Sequence, residues 1–528
     1  MTRGSIVSLG IANPVFRPNA DEEGVYDNDG FVDQNFSEKV DVGLEKPGDT
    51  EKTVDGADSA PAPPTELKAS LNLGHAVSLA VGQTIGSGIF VSPNDVVKQV
   101  GSIGMSLVIW LISGTLSMCG ALTFCELGTM FKRSGGEYQY IKAAYGKLAA
   151  FLYLWVCGVI RNGMGCAAIA LTFAHYFMDL FMDEKDPGFT VAKKSAATAA
   201  IVIIIAVNIW STKIGLWMQN IFTALKLGAL SVLVIMGIYF LAAGKTENIS
   251  KNWFEGTDID FAKWTNAFFA SLWAYSGWNC INMMSGEIKN PTKTVPRALV
   301  LTNIIMISIY LIANIAYHTI LPLSTLRNER AIAVKVGKVV LGEGTWGRVG
   351  EVFFGVSVAI STFGALSSSL MGSSRLPFIA AQEDMFPKFV ALIQVKNGTP
   401  IVGLLTMGTL ATFWVWPIDI GGLIKYVGFL SWAWWGMCFA AVPLLRFTMR
   451  GFPRTFRVFL PVTGFAIIAS LYLTIGQFVA SPVPCLGWLA VVAVGVPIYY
   501  GFVDPDNTCR TWMAWLLSKL SKLLKAEL

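Results

Sequence analysis

Histidine is scarce in this chain: three residues in 528, at positions 75, 175 and 318. They stand far apart and outside any nucleophile or metal motif, so no histidine-based catalytic constellation can be assembled from the pattern. The eight cysteines form no CxxC pair and no Cys/His cluster, so neither a metal site nor a disulfide framework is expected. Cys119, Cys125, Cys157, Cys166, Cys280 and Cys438 fall inside long apolar runs, where cysteine behaves as a small hydrophobe. Charge is thin, at 14% of residues against 53% hydrophobic. The start of the chain has neither the basic residues nor the apolar stretch of a signal peptide. An enzyme, a cofactor and a metal are therefore all unexpected.

What the sequence has is apolar length. A helix needs about 20 apolar residues to cross the hydrocarbon core. Twelve runs qualify: 73–99, 104–131, 147–178, 195–212, 216–243, 262–287, 297–321, 349–382, 400–416, 420–446, 456–479 and 483–503. They define an all-α integral membrane domain over 71–505. Residues 1–70 differ, with fourteen Asp/Glu against six Lys/Arg and the Pro61-Ala62-Pro63-Pro64 run. This composition reads as a disordered acidic tail on the cytosolic side. Residues 506–528 read as a cytosolic amphipathic helix, with Lys519, Lys522 and Lys525 on one face and Trp512, Leu516, Leu520 and Leu523 on another.

The basic residues orient the chain. With both termini inside, the even-numbered turns are cytosolic, and one of them carries Arg446, Arg450, Arg454 and Arg457 with no acid. The sequon Asn248-Ile249-Ser250 then falls outside, where it is a glycosylation candidate. The long seventh turn, with several Lys/Arg, fits this orientation poorly.

Two interruptions carry the functional signal. Gly86-Ser87-Gly88 lies in the middle of the first run, and Tyr275-Ser276-Gly277-Trp278-Asn279 in the middle of the sixth. Each Gly costs a helix interior about 1 kcal/mol relative to Ala. Lipid offers no partner for a freed backbone group, so a break at that depth must be buried in protein or line a watery cavity. Broken helices five segments apart point to a transporter binding site between two inverted halves. Small-residue helix packing is the plainer alternative. A half-helix starting near Gly88 would present free N–H groups and a positive dipole end to a carboxylate. Half-helices ending at Ile85 and near Tyr275 would present carbonyls to an ammonium. Together these ends describe an α-amino acid.

Thr84-Ile85-Gly86-Ser87-Gly88-Ile89-Phe90-Val91-Ser92-Pro93 resembles the first-helix signature of the L-type amino acid transporter family. Its members are light subunits of heteromeric amino acid transporters, in the amino acid–polyamine–organocation superfamily. Trp273 to Asn279, Gly286-Glu287 and Asn290-Pro291 are similar to its sixth-helix signature. Ser134-Gly135-Gly136-Glu137-Tyr138 is similar to its second cytosolic turn, and Ser361-Thr362-Phe363-Gly364 with Ser373-Ser374-Arg375-Leu376 to its eighth helix.

The resemblance implies a LeuT-like fold: a five-plus-five inverted repeat with broken helices 1 and 6, followed by helices 11 and 12. It implies substrate contacts at Thr84, Ile85, Ser87, Gly88 and Ile89 on the first helix, and at Trp273, Ala274, Ser276 and Asn279 on the sixth. Trp273 matches an aromatic gate. Lys226 resembles a family lysine whose ammonium stands where sodium-coupled relatives bind Na⁺; a lysine reaching for the interface is the alternative. Arg161 matches a family arginine, expected in an ion pair or a carbonyl clamp. Glu126 and Glu287, near helix ends, are expected to pair with basic turns as part of an inner gate. Gly88→Val is expected to block substrate approach while sparing the fold.

Departures narrow the reading. Members that disulfide-bond a heavy chain carry a cysteine between helices three and four, and residues 178–194 have none. This leaves a non-covalent single-pass heavy-chain glycoprotein, or no partner. Ser276 stands where cation-accepting members can carry Asp, and Ser431 where the cystine/glutamate exchanger has Arg. An uncharged pocket favours neutral side chains, because an unpaired charge in a dry site is costly. The reading is a sodium-independent exchanger of neutral L-amino acids at the plasma membrane, in contact with membrane lipid. The alternatives are a proton-coupled symporter of the same fold and a non-transporting amino-acid receptor.

Overall fold

The computed structural model describes residues 71–131, 135–210, 212–249, 253–342, 344–394, 400–503 and 526–527. The acidic tail over 1–70 lies outside them.

The first segment is α1 (Leu73–Thr84) and α2 (Gly88–Val100), bent by 47° between them. Then come α3 (Ile103–Met130), α4 (Glu137–Tyr153), a π-helical stretch (Leu154–Arg161) and α5 (Asn162–Met178). The fourth and fifth segments are α6 (Phe189–Trp210) and α7 (Thr212–Ala242). The sixth is α8 (Phe261–Ala274) and the four-residue α9 (Cys280–Met283), and α10 (Pro291–Ile320) follows. The long seventh turn folds into α11 (Leu323–Asn328) and α12 (Ile332–Leu341). The rest are α13 (Thr345–Gln382), α14 (Ile401–Val415), α15 (Ile420–Thr448), α16 (Leu460–Ala480) and α17 (Pro482–Ile498).

Among the described residues, nine helices are long and apolar enough to cross a membrane, and ten if the bent first pair counts as one span. The other two expected spans fall short, since α14 has 15 residues and the sixth segment is interrupted. The third span begins where expected, at Lys147: the stretch Glu137–Met178 is broken at Gly146, and a separate short helix precedes it. Gly146 has φ +86°, where a residue with a Cβ would be strained. The expected terminal helix over 506–528 lies outside the described residues except at Ala526–Glu527. Those two are extended and pair antiparallel with Ile393–Gln394, so their backbone groups bond across a strand instead of along a helix.

Local signals set several helix starts. Asn72, Ser102, Asp260 and Asp419 cap α1, α3, α8 and α15 with side-chain oxygens that accept from amides three residues on. Large apolar side chains also face outward, as at Trp210, Ile468 and Val483, which suits a surrounding of lipid rather than water. The interior is aromatic. Trp110, Tyr275 and Tyr310 cluster with ring centroids 5.1–5.9 Å apart, beside the sixth-segment break. Asn94 on α2 donates to the carbonyls of Leu326 and Arg327, which pins α11 beside the first segment.

Candidate functional site

Both interruptions are real breaks. At the first, the Ile85 amide still bonds to Val81 O at 2.8 Å, but Ile85 itself is extended. Ser87 then starts α2 without a side-chain cap. The amides of Gly86, Ser87, Gly88 and Ile89 have no hydrogen-bond acceptor among the described residues. At the second break α8 stops at Ala274, and Gly277 has φ +115°, a conformation open chiefly to glycine.

The two breaks pack on each other reciprocally. A β-carbon built on Gly88 would fall onto the Ala274 backbone and 2.7 Å from its Cβ. One built on Gly277 would lie 3.2 Å from Thr84 and Gln83. The start of α2 thus rests on the end of α8, and the turn after α8 rests on the end of α1. This corrects the expectation for Gly88: its missing side chain makes room for Ala274, so Gly88→Val would injure the fold and not the pocket alone. Gly86 is different, with ordinary contact at 3.7 Å to Ala365 on α13.

Tyr310 on α10 joins the breaks from behind. Its hydroxyl lies 3.0 Å from the carbonyl of Thr84 and 3.0 Å from that of Ala274, the last residues of α1 and α8. One hydroxyl hydrogen can serve only one of these carbonyls at a time. Nothing in the sequence marked this tyrosine, which sits in an apolar helix 226 positions from Thr84.

The other expected site residues distribute as follows. Thr84, Ile85, Ser87 and Ile89 are buried at the first break, and the Thr84 hydroxyl has no partner. Ser361 on α13, also buried, has an unpartnered hydroxyl too. Trp273 is half-buried and packs against the core, and Ala274 is buried. Ser276 donates back to Leu272 O at 2.9 Å. Asn279 donates to Glu137 Oε1 at 2.5 Å.

Lys226 on α7 is 3% exposed, so it does not reach for an interface. Its ammonium donates to the carbonyl of Gly82, one turn before the first break. Arg161 makes no ion pair among the described residues, and its Nη1 is buried without a partner. Glu126 is paired as expected with the arginine-rich turn: Arg446 lies at 2.5 Å and Arg454 at 3.5 Å, and the Val458 amide donates to it at 2.9 Å. Glu287 pairs with Arg375 of α13 at 3.3 Å. Asn248 donates to the carbonyls of Thr319 and Ile320, while Ser250 of its sequon lies outside the described residues. No cluster of three or more His, Cys, Asp or Glu able to hold a metal occurs among the described residues.

Two helices broken at membrane depth, packed through glycine and rich in unpaired backbone groups, define a multi-pass carrier for small polar solutes. The comparisons agree. The amino acid permease family model matches residues 71–503, and the chain belongs to that family. It is 35% identical over 440 residues to the b(0,+)-type amino acid transporter 1 of Mus musculus, covering 83% of this chain and 89% of that one. It is 34% identical over 470 residues to the large neutral amino acids transporter small subunit 2 of Mus musculus, covering 87% of each. The resemblance to the L-type family therefore holds along almost the whole membrane domain.

Proposed function

We propose that this protein is a sodium-independent exchanger of neutral L-amino acids that works by alternating access at the plasma membrane, with both termini cytosolic. The buried Lys226 bonded to Gly82 O is the observation that carries the sodium-independent part. A fixed ammonium at the back of the first break supplies a positive charge there without a bound ion, and it would repel Na⁺ from the same place.

The breaks supply the clamp. The substrate carboxylate takes the free amides between Gly86 and Ile89, at the positive end of α2. The ammonium takes whichever of the Thr84 and Ala274 carbonyls Tyr310 leaves unserved. Thr84, Ile85 and Ser276 flank this clamp, Asn279 lies one turn beyond, and Trp273 closes it. Ser276 and Ser431 put no charge in the pocket, which suits neutral side chains. Glu287–Arg375 and the Glu126 cluster form the inner gate. A relative named as a small subunit supports assembly with a larger subunit. Without a cysteine in residues 178–194, that assembly would be non-covalent.

The test is exchange in liposomes holding the purified chain. Efflux of a labelled neutral amino acid should rise when any neutral amino acid is supplied outside, and should not change when Na⁺ is removed or a pH gradient is collapsed. Uptake that requires either gradient would overturn the reading.

A further inference from the structure

The second half of the sixth segment is too short to hold itself in place. α9 has four residues, about one turn, and a single turn is the unfavourable nucleus of a helix rather than a stable one. Its position must come from its neighbours, and three polar contacts from one turn supply it. The Gly135 amide donates to Met283 O at 3.3 Å. Glu137 Oε1 accepts from Asn279 Nδ2 at 2.5 Å. The Tyr140 hydroxyl accepts from Asn282 Nδ2 at 2.9 Å. Both ends of α9 are thus gripped by residues 135–140, at the start of the third segment. Gly136, at φ +47°, brings that turn close enough that a β-carbon there would lie 3.0 Å from Met283 Sδ.

Glu137 is the central member. Its side chain is fully buried, and Oε1 also accepts from Trp435 Nε1 of α15 at 3.1 Å. One oxygen therefore ties the third, sixth and tenth segments together. The other, Oε2, is buried and has no donor. A buried carboxylate with half its lone pairs unmatched is costly to keep in a membrane protein. An amide would fill the same space more cheaply, but a charged acceptor makes hydrogen bonds roughly twice as strong. That strength is useful where a short helix must be held firmly in one state and released in another.

We infer that Glu137 is a positioning residue: its carboxylate latches α9 onto the third segment, and the maximal rate of exchange depends on this latch holding α9 in place. The latch concerns the rate of the exchanger proposed above and rests on that reading. Its main readout, access to Cys280 at the first position of α9, does not need transport. A chain that labels as expected but fails to exchange would overturn the exchanger and leave the α9 contact standing.

The experiment uses the full chain in liposomes. Alkylation of Cys280 by N-ethylmaleimide is followed by mass spectrometry, alongside amino-acid exchange. Glu137→Ala should label Cys280 about tenfold faster and lower the maximal exchange rate, with the half-saturating concentration moving less than about twofold. Glu137→Gln keeps an oxygen where Oε1 is, and should stay within about threefold of the parent in both. Equal behaviour of the two variants, or unchanged labelling in both, overturns the latch. If Glu137→Ala does not fold, Tyr140→Phe removes one contact while keeping its ring. It should raise Cys280 labelling by about twofold, and no change there also overturns the proposal.

Discussion

The two broken segments look alike in sequence and are held by different means. The first break separates two helices of 12 and 13 residues, each long enough to keep its own axis. It is supported at one point by the Lys226 ammonium on Gly82 O and at another by Tyr310. The sixth break separates 14 residues from 4, and the short half depends on side chains of the third segment, one of which is held in turn by Trp435 of the tenth. The contrast assigns two jobs. The first segment offers a stiff site with a fixed charge behind it, and the sixth offers a part whose position can be switched.

Substitutions can break this contrast or sharpen it. The largest effect belongs to the contact between the breaks. Gly88→Val places side-chain atoms into the Ala274 backbone, with an expected loss of about 3 kcal/mol or more, overpacking being aggravated by a rigid neighbour. It should show as little monodisperse carrier in size-exclusion chromatography, whereas Gly86→Ala should fold and lose uptake. Next is Glu126→Ala, which strands Arg446 and the buried Arg454. Breaking a buried pair from one side costs about 3–5 kcal/mol, and thermal unfolding in detergent should show a clear drop.

Lys226→Ala tests the fixed charge behind the first break. It removes the donor to Gly82 O, and exchange should fall about tenfold or become dependent on Na⁺. Exchange rates that are unchanged with and without Na⁺ would deny the first segment its fixed charge. Tyr310→Phe is milder. Losing one buried hydroxyl costs about 1 kcal/mol, seen as a few-fold change in half-saturating concentration at constant surface amount.

The smallest effect is a pH dependence at the turn that grips α9. Glu383, just past α13, accepts from Tyr138 at 2.6 Å and Gln139 at 3.3 Å and pairs with Lys142. Burial alone would raise its carboxyl pKa, but these partners outweigh burial and hold it below the ordinary value of 4.5. A depressed carboxylate stabilises the fold fully above its unfolded pKa, and the contribution is lost as pH falls through the folded one. Glu383→Gln should therefore flatten the loss of thermal stability on acidification below about pH 4.5. An unchanged acid limb would remove Glu383 from the anchoring of that turn.

Much of the site was legible because lipid makes a broken helix conspicuous. Gly86 to Gly88 and Tyr275 to Asn279 stand out against apolar surroundings, and Lys226 stands out as a charge in an apolar run. What pairs with what was not legible. Tyr310 resembles any core aromatic until the ends of α1 and α8 meet at its hydroxyl. Glu137 stood in a motif, but its partner Asn279 is 142 positions away. That a side chain at Gly88 would also meet α8 was not legible, because a sequence does not show that α8 crosses there. The start of the third span at Lys147 was legible, and the backbone breaks at Gly146 just before it.

The π-helical stretch of Leu154–Arg161 has a bearing on that third segment as a whole. Hydrogen bonds from i to i+5 widen the turn and shift the angular phase of everything beyond it. The stretch therefore behaves like a crankshaft with two throws: the Tyr153 end is timed to Trp434 of α15, and the Phe173 end is timed to Phe363 of α13. Deleting one residue between 154 and 161 would favour a regular α-helix and reset the phase of one end relative to the other. Each half would remain a sound helix, but the two would no longer face their partners together.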